Sequence, residues 1–295
     1  MQHEIKIGAL VEAVDALRII PQIARHGFES FQLTFWQTTR GTDLAEFAKQ
    51  IGELAEEHQF VVSGLGVFGN ALTNTGDHAD MIDSWKRLID AAPLFGTNLV
   101  SGFTGRIPGE PIPASMPRYT EVFGELSKRA EANGTRIVFE NCPMDGTWKT
   151  GDYNIAHNPS AWEMMFNALP ADNIGLEWEP CHQMINLMDP IAQLRKWTDK
   201  IYHVHGKDAT IAWDVIREHG IHSPHPFYFE RTPGFGDCNW TDVITILRQA
   251  GYKGSIDIEG YHDPVYRGEL EMTGQVYALN HLKHCRGGAF VPNPS

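Results

Sequence analysis

Short apolar runs rich in β-branched residues recur along this chain, and longer stretches of helical period separate them. Eight runs read as strands: Glu4–Ala9, Ser30–Phe35, Val61–Leu65, Asn98–Gly102, Arg136–Glu140, Ile174–Glu179, Ile201–His205 and Ser255–Glu259. Between them, Leu44–Glu57, Ala79–Ala92 and Ala161–Leu169 read as helices. Asp43 with Glu46 three residues on marks a helix start, because the two can cap the first exposed N–H groups. Strand alternating with helix implies parallel strands joined by crossover helices.

The helix-to-strand joints resemble one another. HGFESFQL, NGTRIVFEN and AGYKGSIDIEG each place a glycine shortly before a strand. Glycine there suits the left-handed helix cap that turns the chain back to the sheet. Eight such units predict a closed (β/α)8 barrel of the α/β class. An open doubly wound sheet is the alternative, but no GxGxxG follows the first strand. The 295 residues suit this reading, since such a barrel takes about 250. The barrel is expected over residues 1–288, as a single domain, and 289–295 as an irregular, exposed tail. Two connections are long: Asn141–Asn173 after the fifth strand, and Gly206 to about Thr241 after the seventh. Both leave the C-terminal face, where barrel active sites are built.

Charge narrows the function classes. Asp and Glu number 37 against 24 Lys and Arg, a net charge of −13. That argues against a nucleic-acid binder, which needs a basic stripe, and equally against a polybasic membrane anchor. No apolar run approaches the roughly 18 residues of a spanning helix, and MQHEIKIGAL has no signal-peptide pattern. The four cysteines, Cys142, Cys181, Cys238 and Cys285, are scattered and form no CxxC pair. They read as reduced thiols, so a cytoplasmic location is expected.

Polar residues collect at the strand ends. The fifth strand ends in Glu140; the sixth in Glu177, Glu179 and then His182. The seventh ends in His203, His205, Lys207 and Asp208; the eighth in Asp257, Glu259 and then His262. Side chains alternate faces with period two, so Glu177 and Glu179 share a face, as do His203 and His205. In a barrel the inward face looks along the axis, and the four strand ends converge at its mouth. Carboxylates crowded there repel unless a cation joins them. Glu140, Glu179, His205 and Glu259 form an O, O, N, O donor set. Such a set suits one divalent ion, Mn²⁺ first, with Mg²⁺, Co²⁺ and Zn²⁺ as alternatives. Taken singly the residues have plainer readings. His203 alone reads as a hydrogen-bonded barrel residue, Glu177 as a layer residue beside the ligands, and Cys142 and Cys181 as small buried hydrophobes.

These motifs resemble the sugar phosphate isomerase/epimerase family, of xylose isomerase-like TIM barrel fold. The likeness runs over almost the whole chain and is densest from Ile137 to Arg286. The family's carboxylate after strand five matches Glu140 in FENCPM. Its D-P-x-H segment matches Glu179-Pro180-Cys181-His182, and its H-x-K-D matches His205-Gly206-Lys207-Asp208. Its final glutamate matches Glu259, and its P-G-x-G loop matches Pro233 to Gly236. Glu179 departs from the family's usual Asp.

The resemblance implies a divalent-metal-dependent isomerase or epimerase that moves a proton next to a carbonyl through a metal-stabilised enediolate. Glu140 and Glu259 would flank the reacting carbon as the two catalytic bases. His182 and Lys207 would hold substrate oxygens, with Lys207 as an ion-pair partner of Asp208 the alternative. Arg231 would reach an anionic end. The same site could instead run a lyase or dehydratase reaction on a keto-sugar, a keto-cyclitol or a sugar conjugate. The expected partner is a small sugar-derived molecule, with no nucleic acid and no membrane, and with homo-oligomerisation left open. Phe35, Trp36, Phe68, Trp148, Trp178, Phe227, Tyr228 and Phe229 lie at or near strand ends and loops, where aromatic faces cover sugar C–H faces. No compact Arg/Lys cluster marks a phosphate pocket, which favours an unphosphorylated substrate.

Overall fold

A computed structural model describes residues 5–73 and 77–294. Glu4 of the first predicted strand and Ser295 of the predicted tail lie outside the described residues. The first half of the chain forms β1 (Lys6–Glu12), α1 (Ala16–Ile23), β2 (Ser30–Trp36), α2 (Leu44–His58), β3 (Val61–Phe68), α3 (Asp77–Ala91), β4 (Leu99–Gly102) and α4 (Met116–Ala132). It continues through β5 (Arg136–Glu140), α5 (Pro159–Ala168), β6 (Ile174–Trp178), α6 (Pro180–Met184), α7 (Pro190–Trp197) and β7 (Ile201–Gly206). Then come β8 (Asp208–Ile211), α8 (Trp213–His219), β9 (Tyr228–Arg231), α9 (Trp240–Gln249), β10 (Ser255–Ile258) and α10 (Glu271–Cys285). Eight strands close a barrel in the order β1-β10-β7-β6-β5-β4-β3-β2, and β8 and β9 form a separate two-stranded sheet. All eight predicted strands are barrel strands. The hairpin is an addition within what was expected to be a plain long loop.

Contacts divide the chain into two compact parts. The larger is Leu10–Trp178 with Lys200–His203. In it β2 to β6 pair in parallel, with Val138 opposite both Ser101 and Gly175, and Glu140 opposite Glu177. Its core includes an aromatic cluster. Phe139 of β5 meets Phe123 and Tyr119 of α4 and Trp85 of α3, with ring centroids 4.7, 5.9 and 6.3 Å away, mostly edge to face. Edge-to-face packing directs the positive ring edge at the negative face of its neighbour. The Asp43 side chain caps α2, accepting from the N–H groups of Ala45 and Glu46. Asn158 caps α5 in the same way, with Pro159 at the first helical position, where a missing N–H costs nothing.

The other part is Met1–Ala9, Glu179–Asp199 and Val204–Ser295. Here β1 pairs with β10, and β10 with β7, both parallel. Asp189 caps α7 and Asn239 caps α9. In β8 and β9, Ala209 stands opposite Glu230 and Asp208 opposite Arg231. Gly27, Gly134 and Gly251, the predicted joint glycines, all have positive φ, as a left-handed cap requires. Residues 289–294 are irregular and exposed. No helix is long and apolar enough to cross a membrane among the described residues.

Candidate functional site

Three of the expected ligands meet in the part that holds β8, β9 and β10. Glu179 comes just after β6 and is the N-cap of α6, because Pro180 cannot extend the strand ladder but suits a first helical turn. Glu259 comes just after β10, and its N–H still bonds the Gly206 carbonyl at 3.1 Å. His205 sits on β7 between them. Its Nδ1 lies 3.3 Å from Glu259 Oε2 and 3.7 Å from Glu179 Oε2. One donor atom from each of the three lies within 4.8 Å of the other two. Glu179 and His205 are fully buried, and the Glu259 side chain is 11% exposed.

A lysine and a histidine stand beside these carboxylates. Lys207 Nζ donates to Glu259 Oε1 at 2.8 Å. It also lies 3.1 Å from Glu230 Oε2 and 3.8 Å from Glu179 Oε1. His182, on α6, brings Nε2 to 3.1 Å from Glu179 Oε1. Burial pushes the Glu179 carboxyl up, but His182 and Lys207 outweigh it and hold the group below the ordinary range. Burial acts likewise on Glu259, and Lys207 again outweighs it. For Lys207, burial works against charge, yet Glu259, Glu179 and Glu230 carry the ammonium well above the usual lysine value. It is therefore a fixed ammonium rather than a nucleophilic amine.

One alternative falls away. Lys207 does not pair with Asp208: its Nζ stands among Glu259, Glu230 and Glu179. The Asp208 carboxylate instead accepts from the N–H groups of Ala209 (2.8 Å), Cys238 (2.9 Å) and Gly234 (3.3 Å) and from the Trp240 indole (3.0 Å). It thereby holds the Pro233–Gly236 loop. A Cβ on Gly236 would stand 2.3 Å from Asp208 Oδ1, so glycine is needed for that approach. Arg231 places its Nε 3.3 Å from Asp263 Oδ2. Asp263 also accepts from the N–H groups of Thr232, Val265 and Tyr266 at 2.8 to 2.9 Å, tying the segment after β10 to β9.

Glu140 ends β5 in the larger part, buried. Asn154 fixes the backbone there by donating to the carbonyls of Glu140 and Cys142, 2.8 Å each. Glu177 Oε1 accepts from Gln32, which also donates to Ser101 at 2.8 Å, and lies 2.8 Å from His203 Nδ1. This buried network joins Glu177 to His203 on one side and to Gln32 on the other. Cys181 is buried against Met184, Ala209 and Ile211 as a small apolar residue. Of the eight aromatic candidates, Phe35, Phe68 and Trp178 are buried, while Trp36, Trp148, Tyr228 and Phe229 are exposed. Sequence reasoning missed Glu230 and Asp263. The signal for Glu230 is the register of β8 with β9, which a four-residue strand far from its partner does not advertise.

Comparisons with known proteins agree with this architecture. A family model described as a xylose isomerase-like TIM barrel matches residues 20–283. An inosose dehydratase of Clostridium tetani is 26% identical over 175 residues, 57% of this chain and 52% of that protein, so the chain spans about half the length of that relative. Among solved structures, a xylose isomerase domain protein from Planctomyces limnophilus superposes with a TM-score of 0.73 at 18% identity, covering 96% of this chain and 97% of the other. The 3-keto-D-glucoside 4-epimerase YcjR from E. coli gives 0.70 at 16% identity, covering 96% and 100%.

Proposed function

The chain belongs to the xylose isomerase-like TIM barrel family, and we propose that it is a divalent-metal-dependent isomerase or epimerase of a sugar or keto-sugar. The observation that carries this reading is the meeting of Glu179, His205 and Glu259, with donor atoms within 4.8 Å of one another. Buried carboxylates with one imidazole are the donor set of a hard or borderline divalent ion, so the residues fit such a group. We assign Glu140, the carboxylate that ends β5, as the fourth ligand. A divalent ion held there would polarise a substrate carbonyl and acidify the neighbouring C–H.

The protein's own groups would do the rest. Glu140 and Glu259 come from strands separated in the barrel order by β6 and β7. One would remove a proton from the substrate carbon and the other would return one. His182 and the Lys207 ammonium would hold substrate oxygens. Arg231, steadied by Asp263 through its Nε, would reach an anionic end of the substrate.

A second reading has its own support. The relatives matched by sequence include inosose dehydratases. If the carbon that loses its proton is adjacent to one bearing a hydroxyl, the same pair of carboxylates could remove the proton and protonate the departing hydroxyl. The enzyme would then be a dehydratase of a keto-sugar or keto-cyclitol. One experiment separates the two: incubate the protein with Mn²⁺ and a panel of keto- and aldo-sugars and inososes in D₂O, and follow proton NMR. Deuterium at a carbon of an isomerised or epimerised sugar supports the first reading, and loss of water the second. No exchange and no product with any compound would overturn both.

A further inference from the structure

We propose that Glu230, carried by β9, is a positioning residue that holds the Lys207 ammonium for the substrate while Glu179 and Glu259 serve the metal; this rests on the function proposed above. Lys207 has three carboxylates around it: Glu259 at 2.8 Å, Glu230 at 3.1 Å and Glu179 at 3.8 Å. Two of the three are assigned to the ion. A carboxylate that binds a divalent cation gives up much of its hold on a neighbouring ammonium. Among the described residues, Glu230 is the carboxylate beside Lys207 with no such second task.

Strand register explains how Glu230 gets there. Lys207 and Ala209 are two residues apart, so they share a face as the chain runs into β8. Ala209 stands opposite Glu230. Glu230 is therefore diagonal to Lys207 on that face, within reach for two long side chains. The neighbouring pair, Asp208 opposite Arg231, takes the other face. There Asp208 holds the Pro233–Gly236 loop and Arg231 meets Asp263. Both members of the pair at this end of the short ladder are thus fastened, and a slip of one residue would turn Glu230 away from Lys207. The Glu230 side chain is 19% exposed and that of Lys207 3%, so the pair is mostly shielded from water. A charged contact in such a setting has a measurable effect, unlike an exposed one.

The test combines kinetics with a readout that needs no turnover. With Mn²⁺ and the sugar that the wild type converts, Glu230→Gln should raise KM about tenfold, as for loss of a charge-assisted contact, with a smaller effect on kcat. Glu230→Asp, which keeps the charge, should recover part of the loss. In a Lys207→Met background, Glu230→Gln should add no more than about twofold, because it acts through the missing ammonium. Separately, the Mg²⁺-loaded proteins are treated with acetic anhydride and Lys207 acylation is followed by mass spectrometry. Glu230→Gln should label faster than wild type and Glu230→Asp close to wild type. Unchanged kinetics, equal loss in the Lys207→Met background, or unchanged labelling would overturn the proposal. A wild type that binds Mn²⁺ but converts no sugar or inosose would overturn the function reading and with it the catalytic half of this one. The labelling would then decide whether Glu230 holds Lys207 at all.

Discussion

His182 and Glu179, three residues apart across the start of α6, meet at 3.1 Å between Nε2 and Oε1. The contact turns one oxygen of Glu179 toward an imidazole, while its other oxygen, Oε2, faces His205 at 3.7 Å. A carboxylate shared in this way can keep a metal on one oxygen and a neighbouring imidazole on the other.

The first prediction follows from that sharing. His182→Ala should keep one divalent ion per chain, as read by elemental analysis of protein purified without chelator. Its kcat/KM should fall by about tenfold, since a hydrogen bond to substrate is lost. Loss of the ion in that variant would instead make His182 a ligand.

The two-base reading predicts a distinct pattern for Glu140→Gln and Glu259→Gln. Glutamine keeps an oxygen donor but cannot take a proton. Mn²⁺ affinity, measured by calorimetry, should fall modestly, and turnover by roughly 10²–10⁴-fold. For an isomerase or epimerase, each variant should still exchange the proton on the face served by its remaining glutamate. In a dehydratase that reciprocity is absent. Near wild-type turnover in both variants would refute a shared two-base mechanism.

Phe139 lies one residue before Glu140 and is fully buried against Trp85, Tyr119 and Phe123. Phe139→Ala should cost about 3–5 kcal/mol in urea unfolding, the usual price of emptying an aromatic site in a core. Phe139→Leu, which refills most of the volume, should cost distinctly less. A loss under about 1 kcal/mol for the alanine variant would mean that the cluster collapses around the gap.

The barrel strands were legible because each is a short apolar run bounded by turn signals, and β5 begins and ends at the expected residues, Arg136 and Glu140. The expected sixth strand ran one residue too far. Pro180 starts a helix and turns Glu179 into its N-cap, an effect of backbone chemistry that was already visible in the sequence. The alternative that paired Lys207 with Asp208 fails on tertiary contacts, because Lys207 Nζ is taken up by Glu259, Glu230 and Glu179. The β8 and β9 pairing was of another kind. DATI and YFER are four-residue strands separated by α8, and their register depends on contacts distant in sequence. No local pattern announces such a register, so Glu230 could not be placed before the fold was known.

The last prediction concerns acid. His157, buried in the larger part, has its imidazole held down to about 4 by burial, with the Arg106 guanidinium adding to the effect. An unfolded chain protonates the same ring near 6.5. As pH falls, the unfolded state therefore takes the proton first, and folding loses ground. The contribution is fully present above about 6.5, shrinks as pH falls to about 4, and is constant below that. At 1.36 kcal/mol per pH unit, the gap sets a ceiling of about 3 kcal/mol. Carboxylates also titrate in this range, so the wild type alone cannot isolate the effect. His157→Gln removes the titrating group. The difference in unfolding free energy between wild type and His157→Gln, measured in urea at a series of pH values, should be steady near neutrality. It should then change in favour of the variant between about pH 6.5 and 4. Parallel curves across that window would show that His157 protonates equally easily in both states and that its burial imposes no penalty.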